Sequence, residues 1–209
     1  MARVALTFDD GPGPATPLLL DVLAARGVHA TFFLLGTNVE RARDVAVRIA
    51  RAGHVVGNHT FTHARPGAIA GAALVDEIAR NDALLADVCR EAGVAPRRPI
   101  PVRLPYGPAP DDARLAALAS IGRTHTHWTG DFGDWLEPAP DPAELAARMR
   151  AHIEAQARAG LAAVIDLHDS SRLFADRTAT AEAVRLLLAD AALELFTVPA
   201  DHQTNGTSR

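Results

Sequence analysis

Short apolar runs alternate with amphipathic stretches along the chain, and this alternation is the strongest constraint on its fold. Runs suited to buried strands occupy residues 4–8, 28–34, 54–57, 100–104, 122–128, 162–167 and 193–198. Helical patterns occupy residues 72–92, 111–120, 141–159 and 178–189. Thr16-Pro17 supplies a cap and a first-position proline for an earlier helix that stops near Arg26-Gly27. Asn38 is placed to cap another, with Val39, Ala42, Val45, Ala46 and Ile49 along one face and Gly53 at its end. Strand and helix in turn specify an α/β domain with a parallel sheet.

Polar clusters follow the first, third, fourth, fifth and sixth runs, always on the C-terminal side. In an open sheet they would be strung along an edge. In a closed barrel they converge on one pocket. The expected architecture is therefore a distorted (β/α) barrel of about seven parallel strands, a single domain over residues 1–200 with a polar tail at 201–209.

Composition removes several function classes. A net charge of −4 gives no electrostatic reason to expect nucleic acid or an anionic membrane as partner. Cys89 is the only cysteine, which excludes an intramolecular disulfide and a zinc site made of several cysteines; its helical, apolar setting suits a small buried side chain. No apolar run is long enough to span a bilayer. No basic segment and apolar core precede the first strand, so the expectation is a cytoplasmic protein.

The chemistry is carried by the clusters. His59 and His63 stand four apart, a spacing that on a helical turn puts both imidazoles on one face, ready for a divalent metal. Asp9 and Asp10 are adjacent, so their side chains diverge; one can join the histidines on a metal while the other faces a water. Two histidines and one carboxylate leave coordination positions open, as in catalytic sites. Arg103 ends the fourth strand, either as the cation that orients a catalytic carboxylate or as a rim salt bridge. The Tyr106 amide is a candidate oxyanion donor. His168 is a candidate general acid that needs a carboxylate to stay protonated, with Asp134 the preferred partner. Trp135 suits an apolar wall or the core. His125 and His127 have no carboxylate at suitable spacing and read as structural or rim residues, while His29, His54, His152 and His202 carry no role.

Taken together, Thr7-Phe8-Asp9-Asp10, His59-Thr60-Phe61-Thr62-His63, Arg103-Leu104-Pro105-Tyr106, Asp131-Phe132-Gly133-Asp134-Trp135 and Leu167-His168 resemble, in order, the motifs of the polysaccharide deacetylases with a NodB-type domain, carbohydrate esterase family 4. The resemblance implies removal of N-acetyl groups from amino sugars, with a chito-oligosaccharide or similar small carbohydrate as substrate. It implies Asp9 as base, and Asp10, His59 and His63 as ligands of zinc or of cobalt, nickel or manganese. It implies that Arg103 orients Asp9, that the Tyr106 amide helps hold the oxyanion, and that His168 is the acid tuned by Asp134. Trp135 and Leu167 are expected to line the acetate pocket. The alternatives are an O-acetyl esterase or a small-metabolite deacylase with the same site, and a non-catalytic sugar-binding module. One departure stands out. The family usually has an aliphatic residue two before the last histidine, and this chain has Asp166. Residues i and i+2 of a strand share a face, so Asp166 is expected beside His168, either raising its pKa or reading a polar or cationic substrate group.

Overall fold

The computed structural model describes residues 2–69, 71–190 and 193–198; the expected tail at 201–209 lies outside them. In chain order it contains β1 (Ala2–Asp9), α1 (Thr16–Ala24), β2 (Thr31–Leu34), α2 (Gly36–Arg41), α3 (Arg43–Arg51), β3 (Val55–Asn58), α4 (Ala72–Glu91), α5 (Ala113–Ser120), β4 (Gly130–Asp131), α6 (Pro142–Arg158), β5 (Ala163–His168), α7 (Thr178–Asp190) and β6 (Leu193–Leu195). The strands run parallel in the order β3-β2-β1-β5-β4. β6 pairs with Ala2 to Val4 on the edge of β1 that β2 takes up from Thr7 onward.

The ring is closed by two irregular segments. Val102 bridges Asn58 on one side and His125 on the other, and the chain after His125 reaches β4, which pairs with β5. This is the distorted barrel expected, with a difference. The runs 100–104 and 122–128 form single bridges and not full strands. Pro99, Pro101 and Pro105 have no N–H to give to a ladder. The Leu104 N–H goes to the imidazole Nδ1 of His125 at 3.0 Å, which makes that histidine a structural acceptor.

Period-two alternation sorts the side chains. On β1, Val4, Leu6 and Phe8 join the core beneath the helices, as do Ala163, Ile165 and Leu167 on β5. Ala5, Thr7 and Asp9 face the barrel interior, in register with Val164, Asp166 and His168. Phe8 stacks on Phe32 with ring centroids 5.0 Å apart, tying β1 to β2 on the helix side. Cys89 is buried in the same core. Among the described residues no helix is long and apolar enough to cross a membrane.

Three expectations are corrected. The helix expected after Asn38 is two helices, broken at Ala42, and Asn38 lies inside α2 and not at its cap. Its amide instead donates to the carbonyls of Asp10 at 2.6 Å and Ser171 at 2.9 Å. His59 and His63 sit in a loop after β3, not on a helical turn. Leu167 does not line the interior. It lies on the opposite face of β5 from Asp166 and His168 and is fully buried in the helix-side core. Leu167→Ala should therefore behave as a core truncation, losing about 2–5 kcal/mol in chemical denaturation.

Candidate active site

The candidate side chains come from the C-terminal ends of β1 and β5, from the loops after β3 and β4, and from the bridged segment around Val102. β1 ends with Asp9 still in the ladder, and Asp10 turns into the left-handed region at φ 69°. The two carboxylates thereby part. Asp9 Oδ1 accepts from Arg103 Nη1 at 2.9 Å, and its Oδ2 lies 3.6 Å from His59 Nε2. The loop after Asp10 is fastened to the end of β5. Thr16 Oγ1 donates to the Asp169 carboxylate, and an added Cβ on Gly11 would meet that carboxylate at 2.4 Å. Burial pushes Asp169 up to about 7.

The loop bearing His59 and His63 is held from α4. Asn81, fully buried, donates to the carbonyls of Leu34 and Thr60 and to Asn58 Oδ1. Glu77 accepts from the amides of Phe61 and Thr62 and from the Thr62 hydroxyl. Reading the sequence missed both residues. The available signal was Asn81 itself, a polar residue between Ile78 and Leu85 on the buried stripe of the helix.

Asp10 Oδ1 lies 3.4 Å from His59 Nε2 and 3.1 Å from His63 Nε2, is buried, and accepts no hydrogen bond. The His59 Nδ1 faces the Arg103 carbonyl at 2.9 Å. A carbonyl only accepts, so Nδ1 carries the proton and Nε2 keeps its lone pair. Burial depresses this imidazole to about 4 and keeps it neutral. A carboxylate oxygen and imidazole nitrogens turned on one point, with a backbone carbonyl fixing one tautomer, fit a zinc-type cation.

Arg103 is fully buried behind this trio. Its Nη1 donates to Thr7 Oγ1 at 2.7 Å, Asp9 Oδ1 at 2.9 Å and Asp166 Oδ1 at 2.7 Å. Its Nε donates to the Thr126 carbonyl, and the guanidinium lies over the Phe33 ring, 4.3 Å from the centroid. On the other side, His168 Nδ1 meets Asp134 Oδ1 at 2.9 Å. Asp134 Oδ2 is fixed by the His168 amide and the Thr180 hydroxyl. Burial by itself depresses the His168 imidazole, but the Asp134 carboxylate, helped by Asp166 and Asp10, outweighs it, and the pKa lies well above its usual value. Burial first, and the Asp9 carboxylate second, push Asp166 up.

A cavity of about 620 Å³ brings Asp9, Asp10, His59, His63, Asp166 and His168 to one surface. Tyr106 and Trp135, about half exposed, stand at its mouth. The Tyr106 amide donates no hydrogen bond to the described residues, and its backbone is left-handed at φ 64°. Arg103 and Asp134 sit behind the cavity wall and touch it through their partners.

A model of the polysaccharide deacetylase family matches residues 2–125. A chitooligosaccharide deacetylase of Bradyrhizobium sp. (strain ANU 289) is 36% identical over 190 residues, covering 88% of this chain and 80% of that protein. A peptidoglycan-N-acetylglucosamine deacetylase of Bacillus cereus is 38% identical over 141 residues, 67% of this chain and 49% of that protein. A crystal structure of a peptidoglycan N-acetylglucosamine deacetylase superposes with a TM-score of 0.76 at 28% identity, covering 95% of this chain and 87% of the other.

The His168–Asp134 pair has a definite pH signature. Its folded pKa is raised, so its contribution to stability is complete below the unfolded imidazole pKa of about 6.5 and is lost as pH rises through the raised value. Asp134→Asn should be less stable than the parent by about 3 kcal/mol at pH 6, with the gap narrowing above neutrality. Urea denaturation across a pH series measures it.

Proposed function

Because the chain belongs to the polysaccharide deacetylase family, we propose that it is a metal-dependent hydrolase that cleaves the N-acyl amide of an amino sugar, with a chito-oligosaccharide as the representative substrate. The observation that carries this reading is the convergence of Asp9 on Arg103, His168 on Asp134, and the Asp10, His59 and His63 trio around one cavity.

A divalent ion held by Asp10, His59 and His63 supplies Lewis-acid polarisation of the amide carbonyl and a lowered pKa for water. The residues around it do the rest. Arg103 fixes one oxygen of Asp9 and keeps its carboxylate turned toward the His59 side, where Asp9 takes the proton of the attacking water. The free Tyr106 N–H is a donor for the oxyanion. His168, held protonated by Asp134, gives its proton to the departing nitrogen. An amine leaves only after protonation, and the imidazolium held by Asp134 is placed to supply that proton.

Acetate release from N-acetylated chito-oligosaccharides, with acetylated xylan as comparator, tests the reading. Release that a chelator stops and zinc or cobalt restores is the expected result; metal-independent release, or none, removes it. Asp9→Asn should lower kcat by at least about 10²-fold while zinc still binds. His59→Ala should weaken zinc affinity by more than about 10-fold in a chelator competition.

A further inference from the structure

The interior face of β5 carries Val164, Asp166 and His168 in register with Ala5, Thr7 and Asp9. Ala5 and Val164 close the floor with Val198, packed by Trp128 and Phe196. Asp166 therefore lies one rung below the acid and the base, between them and an apolar floor. It is only 4% exposed, yet it lines the cavity. Its Oδ1 is taken by Arg103 at 2.7 Å. Its Oδ2 has no hydrogen-bond partner among the described residues.

The roles given above to Asp9, to the Asp10, His59 and His63 side and to His168 would take three of the four substituents of the reacting carbon: the attacking oxygen, the carbonyl oxygen and the nitrogen with its sugar. On that reading the acyl chain is the substituent left to point toward the floor. A bare methyl there would cover the Asp166 oxygen and leave it without a partner. A hydroxyl on the acyl α-carbon would satisfy it, and because a hydroxyl both donates and accepts, it does so whether or not the carboxyl holds a proton. An ammonium would serve only the ionised form. Asp9, Asp166 and His168 lie close enough together to suggest a second cation site, but the Arg103 guanidinium already occupies both carboxylates.

We propose that Asp166 adapts the acyl subsite to an α-hydroxylated acyl group, hydroxyacetyl being the simplest, and that the enzyme prefers N-hydroxyacetyl over N-acetyl amino sugars. The inference rests on the amide-hydrolase reading above and specifies its acyl class. Water adds its oxygen to the acyl carbon, the carbon–nitrogen bond breaks, the nitrogen takes up a proton, and hydroxyacetate and a free amine are the products.

The test compares kcat/KM of the zinc-loaded enzyme on chito-oligosaccharides carrying N-acetyl, N-hydroxyacetyl, N-aminoacetyl or N-propionyl groups. The expected result is a preference of at least about 10-fold for hydroxyacetyl over acetyl, with aminoacetyl and propionyl both poorer than hydroxyacetyl. Asp166→Leu, checked for folding by its circular dichroism melt, should reverse the hydroxyacetyl–acetyl order. Equal or better use of acetyl or propionyl by the parent enzyme, or an unchanged ratio in the folded variant, overturns the proposal. If the variant does not fold, product inhibition of the parent decides: hydroxyacetate must inhibit more tightly than acetate. No release of any acyl group from a metal-loaded enzyme removes the amide-hydrolase reading itself, whereas acetyl release without the preference removes only the role of Asp166.

Discussion

One buried guanidinium holds the site together. Arg103 has no exposed surface, and its Nη1 faces Thr7 and Asp9 from β1 and Asp166 from β5. Its charge makes it possible for two carboxylates to lie side by side in the barrel interior. Its backbone contributes as well: the Arg103 carbonyl orients His59 and its N–H bonds Asn58, the last residue of β3. A single residue thus aligns the Asp9 carboxylate, the His59 imidazole and Asp166. Removing one member of such a buried ionic group leaves an uncompensated charge, which costs about 3–5 kcal/mol.

The rest of the scaffold bends the backbone into conformations that side chains resist. Among the described residues, five non-glycine positions have positive φ, and Asp10, Thr60, His63 and Tyr106 are four of them. Each lies in the site or in the loop that carries the histidines. Such conformations persist only where surrounding contacts over-determine them. The contacts are identifiable. Asn38 ties the Asp10 turn to the loop after β5, and Asn81 and Glu77 clamp the histidine loop onto α4. These side chains do not line the cavity, yet they fix where the residues that do line it can be.

Much of this was legible before the fold. The apolar runs and their polar C-terminal ends specified parallel strands and a common rim, and Asp141 marked the start of α6 correctly; α1 begins at Thr16 itself, with no side-chain cap, because the Thr16 hydroxyl is drawn to Asp169. What was misread came from reasoning along the chain alone. A four-residue histidine spacing suggests a helical turn, but Asn81 and Glu77, from the following helix, hold an open loop there instead. Leu167 sits next to His168 in sequence, and for that very reason lies on the other face of the strand. Asn38 looks like a cap, but its amide is drawn to carbonyls from two distant loops.

By itself the sequence determined the residue types of the site and the strand ends that carry them, because period-two alternation and turn residues act locally. Tertiary structure decided which of those residues meet. The register of β1 against β5 sets Thr7 opposite Asp166 and Asp9 opposite His168, and closure through Val102 and His125 swings Arg103 underneath both. Those are contacts between residues up to 159 positions apart. No local propensity encodes them, because they exist only once the ring has closed and the interior side chains must share one small, largely buried space.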